Sequence, residues 1–137
     1  MLRQLLVGGV VSVANITIHA LMMTLVVHAA RAVGQKANLR TAWTLTCVMI
    51  ATVSVLMAAH TAEVAVWALA YRIVDAVPAG ISLTYFAFVN YTTLGYGDVV
   101  PVKDWQLLGP VTAMNGVLLF GWSTAVIFEV LRRAMAT

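Results

Sequence analysis

The stretch Tyr91-Thr92-Thr93-Leu94-Gly95-Tyr96-Gly97-Asp98 decides the fold, because it is polar and glycine-rich yet lies between long apolar segments. Residues 82–92, which lead into it, are expected to form an apolar helix too short to cross a bilayer, since crossing takes about 20 residues. Non-helical backbone at membrane depth is tolerated only where protein shields it or where it lines a water-filled path. The stretch therefore predicts a re-entrant loop, in which a short helix leads into an extended segment at residues 93–98.

The amino-acid composition indicates the environment in which this chain folds. It is 62% hydrophobic and 9% charged over 137 residues, whereas soluble domains are roughly 45–50% apolar and about 25% charged. A soluble domain of this size could not bury so much apolar surface, so membrane lipid is the expected partner. The net charge of +3 comes from scattered basic residues, which excludes a nucleic-acid face.

Three further segments are apolar and long enough to span a membrane, namely residues 5–30, 41–71 and 105–131. Asp104 is a candidate N-cap for the third, and residues 31–40 form a polar connection between the first two. The sequence thus predicts an all-α membrane protein with three transmembrane helices and a re-entrant loop between the second and third. Residues 1–40 would be an N-terminal helix and loop, and residues 41–137 a second unit.

The basic residues suggest an orientation, because cytoplasmic loops carry an excess of Lys and Arg. With the C-terminus in the cytoplasm, the inner side holds five basic residues and the outer side three; these are Arg31, Lys36, Arg40, Arg132 and Arg133 inside, and Arg3, Arg72 and Lys103 outside. The N-terminus is then extracytoplasmic, and the re-entrant loop enters from outside.

The glycine-rich stretch has the chemistry of a potassium site. A dehydrated K⁺ needs oxygens in place of its water shell, and rings of backbone carbonyls from four identical loops supply them. Successive carbonyls face one axis when the backbone alternates between left- and right-handed regions, which glycine allows at Gly95 and Gly97. The Thr93 hydroxyl could add a further ring of oxygens. Leu94 and Tyr96 would then point away from the axis.

Two charges are expected to favour a cation near this stretch. Asp98 would lie at the outer mouth and attract cations. The helix at residues 82–92 would direct its partly negative C-terminal end toward the centre of the pore.

The stretch resembles the signature of potassium channels, and together with the short helix before it and the third span it resembles the pore module of two-transmembrane potassium channels. The resemblance as a whole covers about residues 41–133. These residues are also similar to small bacterial potassium-channel-like proteins of the ion-channel pore family. That second resemblance rests on His60-x-x-Glu63-x-x-x-Trp67-Ala68-x-x-Tyr71, and on Asn115-Gly116 with Phe120-Gly121-Trp122-Ser123-Thr124-Ala125.

The resemblance implies a fourfold-symmetric homotetramer in the bacterial inner membrane. Each subunit would have an outer helix at 41–71, a pore helix at 82–92, a selectivity filter at 93–98 and an inner helix at 105–131. K⁺ would bind at Thr93, Leu94, Gly95 and Tyr96, with no other cofactor. Gly116 matches the position of a gating hinge, with Gly121 the next candidate, and Thr124 matches a residue that lines the central cavity.

The chain departs from these relatives around the filter. Many of them brace the filter tyrosine with two tryptophans of the pore helix, where this chain has Tyr85 and Phe86. Some also place a glutamate behind the filter as partner to the aspartate at its top, where this chain has Val89. We therefore expect Asp98 to lack that partner.

His60 and Glu63 lie three residues apart, so they share one face of the second span. Ionisable residues at membrane depth are candidates for function. They either bond to each other or to the pore helix, or they support the filter in place of the missing glutamate and make gating sensitive to pH.

The first span carries several polar side chains. His19 and His28 are nine residues apart on opposite faces, so a shared metal site is not expected. Asn15, Thr17 and Thr24 are expected to bond between helices, with the first helix packed outside the outer helix. Trp43 and Trp105, near span ends, are expected at the membrane interfaces.

The sequence therefore predicts a potassium-selective channel that passes ions down their gradient. The alternatives are a weakly selective cation channel and a non-conducting membrane subunit or potassium sensor. An enzyme is not expected, because the sequence offers no nucleophile–base pair, phosphate loop or metal-ligand cluster. No helix carries an arginine at every third position, so a voltage sensor is not expected either.

Overall fold

The computed structural model describes residues 1–36 and 42–135, and the described residues are helical except for loops and turns. The elements are α1 (Leu2–Lys36), α2 (Ala42–Ile73), α3 (Leu83–Tyr91), a 3-10 turn (Lys103–Trp105) and α4 (Leu108–Met135). Helices α1, α2 and α4 are each long and apolar enough to cross a membrane. The predicted fold class, an all-α membrane protein with three spans, is confirmed. The chain is a multi-pass membrane protein.

The helix boundaries differ from the predicted ones at both ends of α1 and of α4. Helix α1 continues to Lys36, into the predicted polar connection, whose last residues lie outside the described part of the chain. Helix α4 begins at Leu108, because Asp104 belongs to the 3-10 turn and does not cap it. The N–H of Leu107, just before α4, instead donates to Oε1 of Gln4 on α1 at 2.8 Å. One N–H group at the start of α4 is thus satisfied by another helix.

Helix α2 ends in a Schellman motif, which satisfies its last carbonyl groups. The N–H of Ala76 donates to the Tyr71 carbonyl at 3.0 Å, and Asp75 adopts the left-handed conformation with φ of 51°. The chain then turns back to α3, where the Ser82 hydroxyl accepts a hydrogen bond from the N–H of Tyr85 at 3.3 Å. Ser82 is therefore the N-cap of this short helix.

Helix α1 lies against both α2 and α4, and not only against the outside of α2 as predicted. Its N-terminal end is next to the start of α4, where the Arg3 guanidinium lies 4.6 Å from the centre of the Trp105 ring. Trp105 is only 5% exposed, so it belongs to the core and not to an interfacial belt, whereas Trp43 is 74% exposed. The N-terminus and the re-entrant loop share one end of the bundle; which side of the membrane that end faces stays a prediction.

The interior has two apolar clusters with a polar layer between them. One cluster, at the end that carries α3, contains Trp67, Tyr71, Phe86, Tyr91 and Leu108 among others. The other, toward the opposite end, contains Met23, Val26, Leu56, Val126 and Val130. Between them lie four polar side chains from α1, α2 and α4, namely His19, His60, Glu63 and Ser123. This layer positions the end of α3.

Gly116 allows α3 to approach α4 closely. A Cβ atom added there would lie 2.0 Å from the carbonyl oxygen of Tyr91, far inside van der Waals contact. The glycine therefore has a packing role at the last residue of α3, whether or not it also serves as the predicted hinge. At Gly121 an added Cβ would meet nothing within 4 Å.

We predict opposite effects of alanine at these two glycines. Gly116→Ala must displace backbone at Tyr91 and should lower the free energy of unfolding by about 1–3 kcal/mol. Gly121→Ala removes a flexible residue from a helix and should raise it by about 0.5–1 kcal/mol. Thermal unfolding of the purified protein in detergent measures both, and equal melting temperatures would contradict the packing role.

Candidate functional site

The helix α3 ends in a second Schellman motif. Residues 93–98 follow it and are here named the filter loop, after the role that the sequence predicts for them. The N–H of Leu94 donates to the Val89 carbonyl at 3.0 Å and that of Thr93 to the Asn90 carbonyl at 3.1 Å. Thr93 takes the left-handed position with φ of 59°, where glycine is usual. A residue with a side chain costs roughly 1–2 kcal/mol in that region, so Thr93 is kept there against a local preference.

The filter loop alternates in backbone handedness. Gly95 and Gly97 have φ values of 53° and 79°, as predicted, and Thr93 adds a third positive value. Leu94 and Tyr96 do not share this conformation, since Asp75 and Thr93 are the non-glycine residues with positive φ in the described chain. The alternation therefore begins at Thr93, two residues before the first glycine of the loop.

The filter loop is largely uncovered within one chain. Tyr96 is 68% exposed and Leu94 is 53% exposed. Large side chains at this depth need either lipid or protein against them, and the loop backbone beside them can be exposed only to protein or to water. If Leu94 and Tyr96 point away from the axis as predicted, the atoms that pack against them must come from outside this chain.

Asp98 has no glutamate partner at position 89, where the chain has Val89, but it bonds to another residue of α3. The hydroxyl of Tyr85 donates to Oδ2 of Asp98 at 2.7 Å. The hydrogen bond to the Asp98 carboxylate raises the pKa of the Tyr85 phenol above its ordinary value. Phe86, the neighbour of Tyr85, is buried, with its ring 5.0 Å from that of Tyr71. Tyr85 therefore bonds the filter loop to α3, and Phe86 packs in the core.

Glu63 is fully buried and binds the end of α3. Its Oε2 atom accepts a hydrogen bond from the Tyr91 hydroxyl and lies 2.9 Å from Nδ1 of His60. The expectation that the His60–Glu63 pair bonds to itself and to the pore helix is confirmed. Tyr91 is the last residue of α3, two residues before Thr93, so the carboxylate is linked directly to the start of the filter loop.

His19 joins this pair from α1, which the sequence did not indicate. Its Nδ1 atom lies 2.8 Å from Oε1 of Glu63, and both residues are fully buried. An ionised carboxylate only accepts hydrogen bonds, so with Glu63 ionised the Nδ1 atoms of His19 and His60 would be the donors. The Nε2 atoms of both rings face the Ser123 hydroxyl, at 3.4 Å and 2.9 Å.

The three side chains of His19, His60 and Glu63 form a group that could in principle ligate a metal ion, with donor atoms within 4.8 Å of one another. This corrects the expectation that no such cluster exists. Their N···O separations of 2.8 and 2.9 Å are hydrogen-bond distances. Two ligand atoms that share a tetrahedral zinc ion at about 2.0–2.2 Å would lie roughly 3.3 Å apart. The geometry therefore fits a proton between each pair and not a shared metal.

A second polar contact joins α1 to α2 and α4. The side-chain amide of Asn15 donates to the Glu63 carbonyl at 3.2 Å and to Oδ1 of Asn115 at 3.1 Å. The same Oδ1 atom of Asn115 also accepts a hydrogen bond from Nε1 of Trp67 at 3.0 Å. The predicted interhelical role is thus confirmed for Asn15. It is wrong for Thr17 and Thr24, whose hydroxyls bond to carbonyls of their own helix.

The remaining site candidates lie on α4. Thr124 and Gly121 are exposed on the surface of the single chain, and the Thr124 hydroxyl donates to the Phe120 carbonyl at 3.0 Å. Their roles as cavity lining and hinge stay predictions.

A protein-family model described as Ion channel matches residues 59–133, more than half of the chain. The chain belongs to this ion channel family. No curated protein and no solved structure matches it. Family membership supports ion transport as the activity, and ion channels of this type typically assemble as oligomers. The matched region of this ion channel contains Glu63, Tyr91, the filter loop and nearly all of α4, but not α1.

We predict that ion flux through the Tyr85→Phe variant falls off sooner than flux through the unchanged protein. The change keeps the ring but removes the donor to Asp98, so the filter loop would lose its bond to α3. Tracer flux into liposomes that contain the variant should decline faster than with the unchanged protein, whereas Tyr85→Trp, which retains an N–H donor, should be closer to it. Identical time courses for Tyr85→Phe and the parent would contradict a role for this bond.

We also predict that Glu63→Gln changes open probability or its dependence on pH. A glutamine side chain has one acceptor oxygen, so its NH₂ group would face either the Nδ1–H of His19 or the two donors of His60 and Tyr91. One imidazole must then change its protonation to pair with it. Single-channel recordings across a pH series measure the effect, and traces unaltered at every pH would rule it out.

Proposed function

We propose that this protein is the subunit of a homotetrameric, potassium-selective channel that conducts K⁺ passively across the bacterial inner membrane. The filter loop of each subunit would contribute its carbonyl groups to a common axis. K⁺ would bind at Thr93, Leu94, Gly95 and Tyr96, with Asp98 at the outer mouth.

The observation that carries the proposal is the alternating handedness of the filter loop. Positive φ at Thr93, Gly95 and Gly97, separated by Leu94 and Tyr96, is the arrangement that lets successive carbonyls face the same side. Carbonyl oxygens without hydrogen-bond donors suit an ion that has lost its water shell.

The exposure of the loop supports a tetramer. Leu94 and Tyr96 are more than half exposed in the single chain, on a re-entrant segment between two spans. Copies of the same chain arranged about a fourfold axis would cover these side chains and bring four loops together. Closed rotational symmetry is the usual arrangement of homo-oligomers.

Ion flux through the purified protein in liposomes tests the function, with potassium and sodium gradients compared and barium added as a blocker. Barium-sensitive potassium flux with little sodium flux is expected. Equal fluxes would favour a weakly selective cation channel, and no flux across a pH series would favour a non-conducting subunit or sensor.

We predict that Gly95→Ala removes most of the difference between potassium and sodium flux. Its φ of 53° is unfavourable for alanine by roughly 1–2 kcal/mol, so the loop should leave the alternating conformation. Gly80→Ala is the matched control, because Gly80 has φ of 85° in the loop between α2 and α3, away from the filter loop. Loss of selectivity in both variants alike would assign the effect to general destabilisation.

A further inference from the structure

Helix α1 lies outside the region that the family model matches, yet it contributes two completely buried polar side chains to the interior. Asn15 and His19 are both 0% exposed. Polar groups on a membrane helix are expensive unless they find partners in other helices. Their partners here are Glu63 on α2 and Asn115 and Ser123 on α4.

His19 bonds to one of the two carboxylate oxygens of Glu63. Oε2 accepts from His60 and Tyr91, whereas Oε1 pairs with Nδ1 of His19 at 2.8 Å. The rings of His60 and Trp122 lie 5.3 and 5.2 Å from that of His19 and enclose it. Without His19, Oε1 would lose this donor in a site that water cannot easily reach, and a buried acceptor without a partner is costly.

Asn15 holds the backbone of the same residue. Its amide donates to the Glu63 carbonyl, an oxygen to which the helix offers at most one N–H, and also to Asn115. One helix therefore contacts both the main chain and the side chain of Glu63. Because Glu63 bonds to Tyr91 at the end of α3, a shift of α1 is transmitted to the residue that precedes Thr92 and Thr93.

We propose that α1 is a positioning element of the filter, and that His19 and Asn15 are positioning residues that act through Glu63 and Tyr91. The proposal rests on the proposed function, because it gives the first helix a part in maintaining the conducting conformation. His19 fixes the orientation of the carboxylate, the carboxylate fixes Tyr91, and Tyr91 fixes the C-terminal end of α3 where the filter loop begins.

Two substitutions at one site test this without relying on an apolar replacement that could prevent folding. In His19→Asn the side-chain amide nitrogen takes the place of Nδ1 and keeps the donor to Glu63. In His19→Gln the amide nitrogen reaches the place of Nε2, toward Ser123, and the donor to Glu63 is lost. His28→Gln is the control, because His28 is exposed on α1 and its bond within the described residues is to the Thr24 carbonyl of its own helix, at 2.8 Å.

The first readout is deuterium exchange of peptides that cover residues 91–98, with the full-length protein in lipid nanodiscs. His19→Gln should exchange about tenfold faster there than the parent, which corresponds to about 1.4 kcal/mol of lost local stability. His19→Asn and His28→Gln should exchange as the parent does. The second readout is the ratio of potassium to sodium flux in liposomes, which should fall in His19→Gln alone and which overall stability would not change.

The outcomes separate the two proposals. If the parent conducts selectively and His19→Gln matches it in both exchange and flux ratio, the positioning role of α1 is overturned. Equal losses in His19→Asn and His19→Gln would also overturn it, because they would show that the donor at Nδ1 is not what matters. If the parent does not conduct potassium at all, the proposed function fails, while the exchange data still decide whether α1 orders residues 91–98.

Discussion

The buried carboxylate of Glu63 is the interaction on which the docking of α1, α2 and α3 depends. An acidic group in the middle of a membrane bundle is costly, by about 2.5–3.5 kcal/mol on insertion scales, unless donors surround it. Here the donors come from α1, α2 and α3, as His19, His60 and Tyr91. Each helix that moved away would leave part of the carboxylate without a donor, so this one residue specifies how three helices are docked.

This carboxylate also explains how a short helix can end at a defined depth. Helix α3 has only nine residues, and isolated helices of that length are not stable. Its N-terminus is capped by Ser82 and its C-terminus is closed by the Schellman bonds of Thr93 and Leu94. Tyr91 anchors the last turn to Glu63, and the close contact at Gly116 fixes the same turn against α4. The filter loop therefore starts from a position that two neighbouring helices determine.

Much of this architecture could be predicted from the sequence, for identifiable reasons. Three spans follow from apolar length, and the left-handed positions of Gly95 and Gly97 follow from glycine's freedom. The left-handed Thr93 could not be predicted, because threonine disfavours that conformation and only the end of α3 imposes it. The Tyr85–Asp98 bond could not be predicted either, because the two residues are 13 positions apart and only the path of the loop brings them together.

The role of His19 could not be predicted, for a different reason. Helix α1 is apolar nearly all around, with Leu6, Val10 and Leu21 exposed on its outer surface, so its sequence does not say which face turns inward. The partner of His19 is 44 residues away in the chain. Only the packing of α1 into the groove between α2 and α4 sets the rotation that brings the two together.

The distribution of polarity on α4 links the interior of the subunit to the proposed conduction path. Its buried face carries Thr112, Asn115 and Ser123, all bonded within the subunit, and its exposed face carries apolar side chains such as Leu118 and Phe128. The Thr124 hydroxyl on the exposed face donates to its own helix, so its oxygen lone pairs would be available to a cation below the filter. The carbonyl end of α3 would add its partial negative charge there. The direction of α3 therefore matters to that ion, and that direction is set by Tyr91 and Glu63.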